Sequence, residues 1–264
     1  MTGSRSFAVI VLSLVLVSIA VAPRATAAWS VPTQVAMSEF ALKVIPPDLE
    51  RQIRRHKRRF RAGILDADQS RQQPRGPDAT AEVIDLPTVI RQQADKTVRL
   101  ITEHRKFDDI VFQLGVVAHF VAMANDPIPA GKPDQPRPEF KIDYLHYLET
   151  ASPRFAVLYY GHGRQIETPA QLDELIQRSL RRSRSLAPMI AQEYQRIGSI
   201  DGSDLFDDRS TAFGVGALAF SHGVSDITAV LRYIWLQAGG ADTRHLPTLD
   251  ENHLILVGRG SQDP

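Results

Sequence analysis

The chain contains no cysteine, which excludes disulfides, thiolate metal sites, a cysteine nucleophile and iron–sulfur clusters. Any metal must therefore be held by His, Asp, Glu or backbone groups. A global excess of charge is missing too: 31 Lys and Arg stand against 30 Asp and Glu, so net charge points to neither nucleic acid nor membrane. There is no G-x-S-x-G elbow, and no serine sits in the strand–turn–helix context that a Ser–His–Asp hydrolase of that type needs. The glycines of GHG, Gly161 to Gly163, are not followed by G-K-[ST], so this is not a phosphate loop. Internal repeats at solenoid periods are also absent.

What remains is ordinary globular material: 264 residues, 43% hydrophobic and 23% charged, with 16 Gly and 17 Pro. The length allows one large domain or two small ones. Residues 1–28 read as a targeting segment rather than as fold. Arg5 precedes the apolar run FAVIVLSLVLVSIAVA (Phe7 to Ala22), and the small-residue stretch ATAA (Ala25 to Ala28) follows. The apolar run is 16 residues, slightly short of the roughly 20 that span a bilayer. Export to the periplasm or beyond is expected, with an N-terminal membrane anchor as the alternative if the leader is retained. Cleavage after Ala27 fits the A-x-A rule better, whereas cleavage after Ala28 exposes Trp29. Removing Arg5 and Arg24 with the leader takes 31 basic side chains to 29, against 30 acidic ones.

Beyond the leader, helical spacing dominates, and a single all-α domain over residues 29–244 with a tail at 245–264 is the simplest reading. Helices are expected at Ser38 to Val44 and Pro47 to Arg61, the second with a proline in its first turn and ended by Gly63. The polar stretch Asp68 to Asp78 reads as a loop. Another helix is expected from Leu86 to His104, and then a central apolar helix through Val111 to Ala124, capped by Asp108 or Asp109. Pro127 stops it and opens the loop PIPAGKPDQPRP. Helical spacing returns from Phe140 to Thr150 and ends at Pro153. FAVLYYGHG reads as a short strand or buried extended run. A long helix spans Pro169 to Ile197, and the last begins near Asp207. Gly214, Gly216 and Gly223 argue against one unbroken helix there. LILVG suggests a small terminal strand.

Several clusters can carry chemistry. The run RQIRRHKRRFR holds seven Arg or Lys, with Arg54, Arg55, Lys57, Arg58, Arg59 and Arg61 forming a basic surface. It suits anionic lipid head groups or nucleic-acid phosphates, or serves as a solvated helix face with Leu49, Ile53 and Phe60 turned inward. Specific nucleic-acid binding is not expected. In GILDAD (Gly63 to Asp68), Asp66 and Asp68 are two apart, as cation ligands or as turn residues. His119 lies in an apolar helix, as a ligand or as a hydrogen-bonded core residue. His222 and Asp226 share a helix face at i, i+4, and His146 lies three from Asp143 and from Glu149, as half-sites for a metal or as surface ion pairs.

Taken together, these pieces resemble the zinc-dependent phospholipase C family and its relatives, the zinc-dependent single-strand nucleases, which are secreted all-α proteins. Four stretches carry the resemblance: Trp29-Ser30 just past the leader, GILDAD, LGVVAHFVAMANDPIP (Leu114 to Pro129) and DITAVLRYIWLQAGG (Asp226 to Gly240). The second is similar to the family's G-I-x-x-A-D. The third is similar to L-G-x-x-x-H-[YF]-x-x-D-x-x-x-P-x-H, and in the fourth Thr228, Ala229 and Trp235 fall into place. The resemblance implies zinc ligation by the free amine and carbonyl of Trp29, by Asp68 and by His119.

The departures matter as much. The bridging Asp of the family falls on Met123, and the His after the proline falls on Pro129. The early His ligand has no counterpart, Gln34 being the nearest polar residue. No His occurs between His56 and His104, where another ligand is expected, and the later H-x-x-x-E pair falls on Lys141 and Leu145. Neither a thioether nor a proline ring replaces a carboxylate or imidazole on zinc, and Lys141 brings a positive charge where the family brings a cation. The family's three-zinc machine cannot be assembled from this set.

Three functions follow as expectations. One is a divergent phosphodiester hydrolase with fewer zincs than the family. It would use Trp29, Asp68 and His119 with support from Asp66, Asp143, His146, His222 or Asp226. Another is an inactive descendant, without metal, that binds lipid, a phosphorylated ligand or a cell-envelope component. The third is an envelope interaction protein docking through the basic helix.

Overall fold

The computed structural model describes residues 29–72, 84–128, 138–161, 166–242 and 255–259. The leader, residues 73–83, Pro129 with the rest of the proline-rich loop to 137, and His162 and Gly163 of GHG lie outside the described residues.

The helices are α1 (Val31–Leu42), α2 (Pro47–Arg55), α3 (Lys57–Gln72), α4 (Leu86–Thr102), α5 (Phe107–Ala124), α6 (Lys141–Ala151), α7 (Pro169–Ile197) and α8 (Thr211–Gln237). The strands β1 (Ala156–Tyr159) and β2 (Ile255–Arg259) form one antiparallel pair with an irregularity between Val157 and Leu158. The chain is thus an all-α domain with a two-stranded ribbon. α5 and α8 are its spine. Both are apolar and long enough to cross a membrane on composition alone, yet 72% of each apolar window is buried inside the fold. They satisfy that test because they are core helices, apolar almost all round.

Local signals set many of the boundaries. The Thr168 side chain accepts from the Gln171 backbone while Gln171 reaches back, a reciprocal cap at the start of α7. Gly198, at φ +72°, closes its other end in the left-handed conformation that glycine adopts without a Cβ clash. The helix carries through Pro188, despite the donor that residue lacks.

Other boundaries differ from the sequence reading, for identifiable reasons. α1 begins seven residues earlier than Ser38, because Ser30 caps it and a proline occupies its first turn. The helix expected from Pro47 to Arg61 breaks at His56, whose backbone leaves the helical region at φ −110°, ψ 27°. The His56 Nδ1 there meets the Asp108 carboxylate at 2.6 Å, while its ring stacks on Phe107. Gly63 does not end a helix; α3 runs through it and on to Gln72, so Asp68 is helical rather than part of a loop. Lys106, not Asp108 or Asp109, is the N-cap of α5; both acids sit in its first turn, where the helix dipole favours negative charge. α8 is unbroken. Cβ atoms at Gly216 and Gly223 would lie 2.5 Å from Leu148 and 2.3 Å from Met37, so these glycines admit close neighbours from α6 and α1.

The pairing of α3 with α5 sets the level of two candidate ligands. A Cβ at Gly63 would lie 2.0 Å from the Phe112 carbonyl oxygen, and one at Gly115 would lie 2.1 Å from that of Phe60. The two backbones touch because neither residue has a side chain. His56 meets Asp108 and Arg59 approaches Asp109, while Gly63 lies against Phe112 to Val116. The two helices therefore run side by side in the same direction. That register carries Asp68 to the level of His119.

Candidate functional site

Two polar assemblies stand out. The first is buried near the N-terminal end of the described chain. Trp29 is fully buried and meets Phe220 edge-to-face at 6.2 Å. Its carbonyl oxygen accepts a hydrogen bond of 2.7 Å from Nε2 of Gln34. With the amide nitrogen donating there, Oε1 of Gln34 is the acceptor facing His119 Nδ1 at 2.8 Å. The bond network thus assigns the proton of a neutral His119 to Nδ1. Gln34 and His119 are fully buried and Asp68 is nearly so. Trp29, just before α1, and His119 of α5 are therefore joined through Gln34 of α1, and the α3–α5 register brings the buried Asp68 to the level of His119.

The supporting residues lie elsewhere. Asp66 is exposed, since two residues along a helix turn a side chain to roughly the opposite face. Asp143 anchors a turn, accepting from Tyr194 Oη at 2.7 Å and from the backbone and hydroxyl of Ser203 at 3.0 and 2.8 Å. His146 is exposed. Met123 is buried. Lys141 is buried as well, donating from Nζ to Asp126 Oδ2 at 3.3 Å and to the Ile128 carbonyl at 2.7 Å. Among the described residues, no group of three or more His, Asp and Glu side chains is placed to share a metal ion.

His222 and Asp226 belong to the second assembly, a cavity of about 220 Å³ between α7 and α8, walled on one side by the end of β1. Ser221 and Ser225, one helical turn apart on α8, accept from the backbone N–H groups of Leu158 and Tyr160 at 3.1 Å each. These bonds fix β1 against α8 and set the Tyr160 ring on His222, with centroids 4.4 Å apart. Across the cavity, Arg182 of α7 donates from Nη2 to Asp226 Oδ2 at 2.6 Å, and Ser179 donates to the same oxygen at 2.5 Å. Burial raises the Asp226 carboxyl above the ordinary range, against the lowering effect of Arg182 and its hydrogen bonds. Burial also pushes His222 down to about 4, helped by the Arg182 charge, so the imidazole is neutral at physiological pH.

The depressed His222 gives a pH prediction. Unfolded, this histidine takes up its proton near pH 6.5; folded, it resists until about 4. The stability it contributes is thus present above pH 6.5 and is lost as pH falls toward 4, by about 2 kcal/mol given its partial exposure. Urea unfolding at pH 7 and pH 4.5 should show that loss reduced in His222→Gln. Comparing the two proteins subtracts the opposing contribution of Asp226, whose raised carboxyl favours the folded state as pH falls. An identical pH slope in both would rule out a buried neutral His222.

The basic run is exposed on α2 and α3, but its charge is mostly matched in place. Arg51 pairs with Asp48, Arg54 with Glu50 and Glu39, Arg59 with Asp109, and Arg61 with Glu39. Arg55, Lys57 and Arg58 have no carboxylate within 4.0 Å among the described residues. The run is therefore a mixed-charge helix surface with three cations over, rather than a strongly positive face.

Sequence reasoning did not single out Arg178, Arg182, Arg232 or Tyr160. A signal existed on α7, where Arg178 and Arg182 are one turn apart. Their meeting with Arg232 and His222 of α8 depends on tertiary packing. Comparison with protein-family models finds no match to this chain, and comparison with curated proteins finds none.

Proposed function

We propose that the chain is an exported, phospholipase C-like protein that binds its ligand without hydrolysing it, and that hydrogen bonds have replaced the metal centre. The order of the four resembling stretches and the all-α fold support the likeness, and the leader-like residues 1–28 support export. The observation that carries the loss of metal is the Gln34 carboxamide, which spans the Trp29 carbonyl and the His119 imidazole at 2.7 and 2.8 Å. Zinc holds such donors at about 2.0–2.2 Å and takes three or four protein ligands. Here two strong side-chain donors, Asp68 and His119, come to one level, and the imidazole and carbonyl are already bridged by an amide. The residues present do not fit the family's zinc. Lys141, which aligns with a ligand histidine of the family, adds a fixed cation against Asp126. The family's route to hydrolysis needs a metal hydroxide, which this donor set is poorly built to form.

The test is elemental analysis of protein exported with its own leader and purified without chelator or metal-affinity resin, with phosphodiester hydrolysis assayed on the same sample. No stoichiometric zinc, a Tm unchanged by chelator and no hydrolysis are expected. About one zinc or more per chain, lost in Asp68→Asn or His119→Ala, would overturn this reading and restore the hydrolase with a reduced metal site.

A further inference from the structure

The cavity between α7 and α8 lies apart from the residues that the family resemblance singles out as ligands, and its lining is unusual. Three guanidinium groups reach it from two helices: Arg178 and Arg182 from α7, and Arg232 from α8. Each is held by a carboxylate at one edge. Arg178 donates from Nη2 to Glu174 at 3.3 Å, Arg182 from Nη2 to Asp226 at 2.6 Å, and Arg232 from Nε to Asp242 at 2.5 Å. A guanidinium carries five N–H donors in a rigid fork, so one such bond orients the group and leaves further donors for a ligand. Arg182 shows this directly. Its Nη2 also reaches Asn125 and Ser179, yet its Nε is buried without a hydrogen-bond partner among the described residues. Nε is sealed inside the fold, so an acceptor entering the cavity would meet the Nη donors of the fork instead.

Donors and shape narrow the ligand. Among the described residues three carboxylates, Glu174, Asp226 and Asp242, match the three arginines, so the spare N–H donors of the forks, not an excess of charge, favour an anion. A tetrahedral anion offers oxygens in several directions and can take forks from guanidiniums arriving at different angles; a carboxylate offers two oxygens in one plane. The remaining wall is mixed, with Ile166, Leu175 and Ala229 beside the polar Gln171 and Ser225, and the stacked Tyr160 and His222 rings close it. At about 220 Å³ the cavity is smaller than the roughly 300–1,000 Å³ usual for drug-sized ligands. That room suits a phosphate with a short organic group.

We infer that the α7–α8 cavity is a binding site for a small phosphate monoester, gripped by Arg182 with Arg178 and Arg232, its organic part against Leu175 and Ala229. The inference deepens the binding role proposed above by naming a site and a ligand class. It does not depend on whether the buried centre near Trp29 holds a metal.

Isothermal titration of the full exported chain with glycerol 3-phosphate tests it, with inorganic phosphate as competitor, acetate as a planar-anion control, and vesicles containing phosphatidate as the lipid-borne form of the same group. Binding of glycerol 3-phosphate, displaced by phosphate and not by acetate, is expected. Arg178→Gln should weaken it about tenfold, and Arg182→Gln should abolish it. Arg178 is more than half exposed, so its substitution leaves folding intact even if loss of the Arg182–Asp226 pair does not. Vesicle binding without response to the soluble ester, abolished by the same substitutions, would assign the phosphate to a lipid head group. A folded chain that ignores both probes would overturn the inference, as would binding unchanged in Arg178→Gln and in folded Arg182→Gln. Zinc content measured on the same sample separates the two readings: a metal-free protein silent to phosphate refutes this site alone, whereas a zinc-loaded protein that binds through Arg178 refutes only the metal-free centre.

Discussion

Gly115→Ala is expected to be among the most damaging single substitutions in the protein, lowering stability by about 3 kcal/mol or more, or preventing folding. The added Cβ would stand 2.1 Å from the Phe60 carbonyl oxygen and 3.0 Å from the carbon behind it. Backbone cannot swing aside as a side-chain tip can, so α3 and α5 would have to part along their length. Gly63→Ala should behave alike, with its Cβ 2.0 Å from the Phe112 oxygen. Gly214→Ala, on an exposed turn of α8 with nothing within 4 Å of the added atom, is the control and should stabilise by about 0.5–1 kcal/mol. Urea unfolding followed by circular dichroism measures all three. A Gly115→Ala protein with the parent midpoint would refute the close helix contact.

That contact bears on the candidate site because α3 and α5 carry Asp68 and His119. Both glycines stand in the stretches that carry the family resemblance, Gly63 opening GILDAD and Gly115 following Leu114 in the central motif. Judged by propensity, Gly63 marks a helix end; in the fold it is the point at which two helices meet. The same misreading applies to Gly216 and Gly223, which admit Leu148 and Met37 against an unbroken α8. A glycine in a helical pattern has two meanings, termination and close approach, and one sequence does not distinguish them. Where the signals were chemically unambiguous the reading was accurate. The long helix expected over Pro169 to Ile197 has those bounds in the fold, and the apolar run through Val111 to Ala124 is a central, buried helix.

The site residues divide along the same line. Local patterns placed His119 on a helix but Asp68 in a loop, and the family resemblance grouped them with Trp29. The role of Gln34 was not legible, because a lone glutamine in a helix has no spacing signature; it acquires one when the Trp29 carbonyl and the His119 ring arrive on either side. The i, i+4 pair His222 and Asp226 reads as a half-site for metal or as a surface ion pair. It lines a cavity instead, because α7 delivers Arg182 to Asp226 at 2.6 Å and thereby neutralises the carboxylate a cation would need. Arginines spaced one turn apart on a polar helix look like solvent-facing charge until the facing helix is known.

Lys141→Met should lower stability by about 3–5 kcal/mol, since it removes the ammonium from a buried ion pair while the Asp126 carboxylate stays inside. Both side chains are at most 5% exposed, and Nζ lies 3.3 Å from Asp126 Oδ2 and 2.7 Å from the Ile128 carbonyl. Asp126 also accepts from the Ile128 backbone N–H at 2.9 Å, so the pair fastens the chain just beyond α5. Asp126→Asn should be costly for the converse reason, leaving the lysine charge against neutral oxygens. The double variant, which neutralises both partners, should recover at least about 1.5 kcal/mol relative to the sum of the single losses, the coupling that a thermodynamic cycle isolates. Such coupling is what an internal counter-ion requires: a fixed ammonium neutralising a buried carboxylate in the way that a bound cation would. A loss below about 1 kcal/mol in Lys141→Met, or single losses that simply add, would mean that Asp126 does not depend on Lys141, and that the lysine is no electrostatic stand-in for metal.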